Sequence, residues 1–249
     1  MRICAPLVAF AAAVGVGAPV FAGLLPEGFE FEIVSNGQTY SLGNNLDDVE
    51  SVTDLENGSI EVSGVSEAFE SVFDWTFVLP GSTGIEPSRS GLAVIASLAS
   101  ALAVTNNSGS DQSYTVTTSA LLSDGSVTGA FGSVSGSVGD ADFDGDASVS
   151  APAGSSVYNG FVDGIDVLSA LDDPFSQTVN TLGATAPFGP GNDSVSGLAG
   201  VLTGFGIRNE FTLSAGDQAT LNSTIALVPT PGAALVLGVA GLAATRRRR

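Results

Sequence analysis

The sequence predicts an all-β fold, a β-sandwich of jelly-roll type, with other Greek-key arrangements left open. Three observations carry this. Apolar and polar residues alternate with a period of two over much of the chain between Gly23 and Leu227. Turn residues recur at short spacing, and no long helical period competes with them. Taken in order, Phe29-Glu30-Phe31-Glu32-Ile33 alternates apolar and acidic side chains, as a half-buried strand does. Val72–Leu79 is a second strand, closed by Pro80-Gly81. Leu92–Val104, rich in Ala, Leu and Ser, fits a helix or one long buried strand. Gly91 and Asn106-Asn107 bound it closely and favour the strand. Leu102–Thr105 and Tyr114–Thr117, on either side of the polar stretch Asn106–Asp111, read as a hairpin. Val127–Val138 alternates Ser and Gly with larger residues, whereas Gly183–Ser196, with Pro187 and Pro190, reads as a long surface loop. Glu210–Leu213 and Ala219–Leu227 flank a turn at Ser214–Asp217. No internal repeat or long linker divides this body, so one ectodomain over residues 23–227 is expected.

Composition narrows the chemistry. The chain has 249 residues, with 26 Asp and Glu against 7 basic residues, all of them Arg, and no His. The body keeps only Arg89 and Arg208, and every acidic residue lies between Glu27 and Asp217, so that stretch carries 2 − 26 = −24. Such a charge repels phosphate backbones and excludes nucleic acid as a partner. It is suited to cations or basic partners. The single Cys4 falls in the N-terminal apolar segment, leaving the body without a thiol. Disulfides and thiolate metal sites are thereby excluded. A body without Lys, His or Cys has little catalytic chemistry beyond carboxylates, and the expectation is that it is not an enzyme.

Both ends read as trafficking signals. Arg2, the apolar run Ile3–Val20 and the small residues around Ala22 have the form of a secretory signal peptide, Met1–Ala22, with cleavage before Gly23. At the other end Val228-Pro229-Thr230-Pro231 precedes an apolar run and then Arg246, Arg247, Arg248 and Arg249. The prolines favour an extended, accessible segment. Ala233–Ala244 is 12 residues. As a helix it spans roughly 18 Å, short of a hydrocarbon core of about 30 Å, and suits a transient membrane handle better than a permanent anchor. The arginines hold that end on the cytoplasmic side.

This order of proline motif, glycine-interrupted apolar helix and arginine cluster resembles PEP-CTERM, the sorting signal of exosortase systems. The resemblance covers about the last 22 residues, 228–249. It includes Leu237-Gly238, Gly241-Leu242 and the arginine run, while Thr230 stands where the family's signature has Glu. The resemblance implies an exported bacterial protein handled by signal peptidase and then by an exosortase-type enzyme. Its membrane intermediate would precede a final place on the cell surface or in the extracellular matrix. It also agrees with a sandwich body ahead of the tail. The expected role is structural or adhesive. The alternative is a carbohydrate-binding, or carbohydrate-active, module with extracellular polysaccharide as partner.

Within the body the sharpest local feature is Asp140-Ala-Asp142-Phe-Asp144-Gly145-Asp146. Carboxylates at every second position with a Gly at the bend match the first half of an EF-hand calcium loop. The twelfth position from Asp140 is Ala151 instead of Glu, and no flanking helices are evident. A solvated acidic turn between strands is therefore the preferred reading, with Ca²⁺ at Asp140, Asp142, Asp144 and Asp146 as the sharper one; no other cofactor is indicated. A second acidic group comprises Asp163, Asp166, Asp172 and Asp173. Asp172-Asp173-Pro174 reads as a turn. Paired carboxylates suffice for a glycosidase, but aromatic platforms for sugar are scarce, and Trp75 reads as core.

Overall fold

The computed structural model describes residues 25, 28–55, 59–79, 86–87, 93–94, 96–122, 127–198 and 203–229. The expected signal peptide with its cleavage site at Ala22 and Gly23, Thr230, Pro231 and Arg246–Arg249 lie outside them. The described chain forms β1 (Glu30–Ser35), β2 (Gln38–Ser41), β3 (Val49–Asp54), β4 (Ile60–Ala68), β5 (Ser71–Leu79), β6 (Glu86–Pro87), β7 (Ala93–Val94), β8 (Ala96–Asn106) and β9 (Gln112–Leu121). It continues through β10 (Val127–Gly139), β11 (Ala147–Ser150), β12 (Ser156–Val162), β13 (Ile165–Asp172), β14 (Ser176–Val179), β15 (Thr185–Ser196), β16 (Gly204–Leu213) and β17 (Gln218–Pro229). Among the described residues there is no α-helix, only two short 3-10 turns at Leu42–Asn44 and Leu46–Asp48. None of these is long and apolar enough to cross a membrane.

Two antiparallel sheets stack into a sandwich. One runs β13-β12-β16-β9-β1-β2, with β11 bridging β14 and β16, and the other runs β15-β10-β17-β8-β5-β4-β3. β6 and β7 pair separately. The strict alternation of β5 explains its central place: Phe73, Trp75, Phe77 and Leu79 are all buried, while Asp74 faces out. Facing it, Phe31 of β1 lies 5.3 Å from the Trp75 ring and 4.9 Å from Phe77. Tyr114 of β9 meets Phe73 edge-on at 5.4 Å and Phe211 of β16 at the same separation. These rings fill the space between the sheets, and their burial supplies the main driving force for closing the sandwich.

The small residues of β10 now have a reason. A Cβ at Gly132 would stand 2.2 Å from the Tyr158 hydroxyl, which donates to the Thr224 carbonyl at 2.8 Å. Only a hydrogen side chain lets that ring lie across the strand.

Three expectations change. Leu102–Thr105 and Tyr114–Thr117 do not form a hairpin: β8 pairs with β5 and β17, β9 with β1 and β16, so the connection crosses between sheets. Asn106 enforces the crossing, because its buried amide binds the carbonyls of Leu213 and Ser214 at the matching crossing of the partner strands. Residues 185–196 are not a loop but β15, paired along β10 with a register shift between Val134 and Gly136. It is an edge strand, where prolines are tolerated because one side needs no N–H. Finally, β17 runs past Leu227, so Val228 and Pro229 pair with Gly129 and Val127. Of the strand expected over Leu92–Val104, β8 supplies the part from Ala96 on, whereas Ala93 and Val94 form β7 and pair with β6; Leu92 and Ile95 lie outside the described residues.

Candidate functional site

Strand register gathers four sheet-crossing connections at one end of the sandwich. Gly139 stands opposite both Gln218 and Thr185, Gln218 opposite Thr105, and Leu213 opposite Gln112. Residues 107–111, 140–146, 180–184 and 214–217 therefore lie together. β17 leaves this end at Gln218 and reaches Pro229 at the other. That is a separation of about 37 Å at ~3.4 Å per residue.

The acidic loop 140–146 is built from carboxylates that fold their own backbone. Asp142 Oδ1 accepts the Asp144 N–H at 3.1 Å, and Asp144 Oδ1 accepts the Asp146 N–H at 3.0 Å. Asp140 is different in kind, being only 4% exposed. Its Oδ2 accepts the N–H groups of Gly145 at 3.1 Å and of Gly183 at 2.7 Å, while Oδ1 is buried with no hydrogen-bond partner. Carboxylate oxygens of Asp140, Asp142 and Asp144 lie within 4.8 Å of one another, and Asp146 is not part of that group. β11 begins at Ala147, so the EF-hand pattern stops after seven residues and Ala151 lies beyond a strand.

Two flanking residues come from the last crossing. The Asp142 carboxylate lies where a Cβ of Gly216 would be, 2.3 Å from Oδ2. Asp217 is wholly buried, accepting the Ala141 N–H at 3.3 Å and the Ser214 hydroxyl. Burial pushes its carboxyl above the ordinary range, partly offset by these two donors, and the charges of Asp142 and Asp144 push it further. The Asp146 amide holds the Asp144 carboxyl low, whereas hydrogen bonding to Asp144 and its charge raise Asp146. Both ion pairs among the described residues belong to Arg208, which binds Asp166 and, at 3.0 Å, Glu210.

The second acidic group does not converge. Asp163 Oδ1 accepts the Thr203 N–H, the Thr203 hydroxyl and the Gly204 N–H at 2.8–2.9 Å. Asp166 pairs with Arg208, Asp172 accepts the Ser156 hydroxyl at 2.6 Å, and Asp173 accepts the Gly154 N–H at 3.1 Å. Each carboxylate fastens a turn or strand end. Of the expected turn Asp172-Asp173-Pro174, Asp173 and Pro174 sit in the turn between β13 and β14, while Asp172 is the last residue of β13.

The single Trp and the three Tyr are likewise occupied. Trp75 donates to Ser66 Oγ at 3.0 Å, Ser66 to the Tyr40 hydroxyl at 2.8 Å, and Tyr40 to Asp48. Tyr114 shares a hydrogen bond of 2.6 Å with Ser71. Two clefts are open among the described residues: one of about 330 Å³ lined by residues 67–72 and Asn107, and a shallow groove of about 180 Å³ at the end opposite the acidic loop, which includes Glu30, Leu121, Phe161, Asp163 and Thr203. Phe161 lies over Gly206, where a Cβ would be 2.3 Å from the ring. Nothing in the local sequence marks this groove, because its walls come from β1, β9, β12 and β16.

No family model and no curated protein matches the chain. Among solved structures it is similar to TmCBM61 in complex with beta-1,4-galactotriose, at 10% identity, 86% coverage of this chain and 97% of that one, with a TM-score of 0.29. It is also similar to the GH31 alpha-xylosidase of Xanthomonas citri, at 8% identity, covering 80% of this chain and 28% of that one, with a TM-score of 0.14. Likeness at this level carries no functional argument.

Proposed function

We propose that this chain is an exported, non-catalytic module of the bacterial cell surface or extracellular matrix, structural or adhesive in role. Signal peptidase would release its N-terminus, and an exosortase-type enzyme would process its PEP-CTERM-like tail. The observation that carries the non-catalytic part is the use made of reactive groups. Asp163, Asp166, Asp172 and Asp173 each bind a neighbouring turn or strand, and the Trp and Tyr side chains are tied up by internal hydrogen bonds. We also read the sandwich as jelly-roll-like. β8 to β9 and β16 to β17 cross at the same end, while β8 pairs with β17 and β9 with β16.

A second reading, binding of extracellular polysaccharide, has the Phe161 groove in its favour, since an aromatic face beside Glu30, Asp163 and Thr203 offers stacking and hydrogen bonding together. A glycan array combined with a hydrolysis screen separates the two. The structural reading expects neither retention nor turnover. Retention abolished by Phe161→Ala would establish the polysaccharide reading, and turnover abolished by an Asp→Asn change would overturn the non-catalytic one.

A further inference from the structure

Asp140 is the most buried member of the acidic loop, yet one of its carboxylate oxygens has no partner. A buried carboxylate oxygen gives up its hydration and normally recovers it from a donor or a cation. Here the other oxygen already holds two N–H groups, so Oδ1 is the one left over. No donor reaches it, and a carboxylate oxygen of Asp140 lies within 4.8 Å of carboxylate oxygens of Asp142 and Asp144. Arg208, which makes both ion pairs among the described residues, is engaged on β16 with Asp166 and Glu210. Three carboxylates drawn together, with no positive charge beside them among the described residues, repel each other unless a cation sits between them.

We propose that Asp140, Asp142 and Asp144 bind one Ca²⁺, with Asp140 Oδ1 as the innermost ligand. The three oxygens lie within 4.8 Å of one another, close enough to share one cation. Carboxylates supplemented by water suit Ca²⁺, which takes six to eight oxygens in loose geometry, whereas Mg²⁺ demands a near-ideal octahedron and gives up its waters reluctantly. Two of the three side chains are exposed, so water and backbone carbonyls can complete a shell of six to eight oxygens. Without the bidentate Glu of a full EF-hand, the affinity belongs to the weak extracellular class, about 10⁻⁴–10⁻³ M.

Bound there, the ion fastens three connections at once. Asp140 holds Gly145 of its own loop and Gly183 of the β14–β15 connection, and Asp142 packs on Gly216 of the β16–β17 turn. Each connection passes from one sheet to the other, so calcium would lock the sheets together at this end. The inference does not depend on how the protein is exported.

The test uses the full chain, stripped with EDTA and melted in about 10 mM CaCl₂, in MgCl₂, and in NaCl of matched ionic strength. Calcium should raise Tm by about 3–10 °C, given that affinity class and a domain of this size. Mg²⁺ and NaCl should give less than a third of that. The double variant Asp142→Asn/Asp144→Asn changes only exposed side chains. It should keep its Tm in EDTA, or exceed it as repulsion is relieved, and lose the calcium response. Hydrogen exchange at the Gly145 and Gly183 amides should slow at least tenfold with calcium in the wild type alone. An identical Tm in calcium and EDTA would overturn the proposal. So would a rise reproduced by Mg²⁺ or NaCl, or one that survives in the double variant.

Discussion

Replacing Asn106 by Ala tests the idea that the two sheets are joined by a specific polar clamp as well as by burial of apolar surface. Its Nδ2 lies 3.0 Å from the Ser110 carbonyl, 3.2 Å from that of Leu213 and 2.9 Å from that of Ser214. Its Oδ1 accepts the Ser108 N–H at 3.0 Å and the Ser108 hydroxyl at 2.7 Å. The residue has no exposed surface, so water cannot replace what truncation removes. The Ser108 hydroxyl retains the Ser110 carbonyl at 2.7 Å, which leaves chiefly the Ser108 N–H and the carbonyls of Leu213 and Ser214 to suffer. At about 1–1.5 kcal/mol for each of these, the loss should be about 3–4.5 kcal/mol. That corresponds to a fall in Tm of about 6–18 °C for a domain of this size. Urea unfolding in EDTA should show a lower midpoint with an unchanged m-value. Asn106→Asp should cost at least as much, since it keeps the acceptor but loses both amide hydrogens and buries a charge. A loss below about 1 kcal/mol for Asn106→Ala would mean that the crossings are held by something else.

Gly132→Ala should cost about 2–4 kcal/mol, because the new Cβ drives the Tyr158 hydroxyl off the Thr224 carbonyl in a packed interior. Adding Tyr158→Phe should recover part of this by removing the clashing oxygen, and strict additivity in the double variant would refute the contact. Asp163 gives a pH prediction. Slight desolvation pushes its carboxyl up, but the three hydrogen bonds from Thr203 and Gly204 outweigh this and hold it below the ordinary value. Its stabilising contribution is therefore complete above the unfolded-state value of about 3.9 and is lost as pH falls through the lower native one. Asp163→Asn, which keeps an acceptor but does not titrate, should close the gap to wild type as pH falls below about 4. Parallel stability curves would contradict it.

Strands with strict alternation were legible from the sequence: β5 and β1 announce their buried faces residue by residue, and the Ala-Leu-Ser run of β8 is bounded by its own turn signals. Pairing was not. Nothing local separates a hairpin at 106–111 from a crossing, because the outcome is set by Asn106 binding carbonyls 107 and 108 positions further along. β15 was hidden by Pro187 and Pro190, which are read as loop markers but are tolerated at an edge. The acidic loop was visible as a repeating pattern of Asp. Yet the residues that distinguish it from a solvated turn, Gly183 and Asp217, join it from 43 and 76 positions away. The likeness of the tail to a sorting signal could be read without any structure, since it rests on the order of residues alone.

The most direct test of the account is the fate of the C-terminus in the cells that make the protein. Because β17 uses Val228 and Pro229, the deletion to make is Thr230–Arg249, which leaves the sheet intact. Intact-mass measurement of the surface and medium fractions should find the full chain outside the cell, shortened at both ends. The deletion variant should be freely secreted, with a processed N-terminus and no surface retention. If both proteins reach the same location and the full chain still carries its arginines, the sorting claim is contradicted.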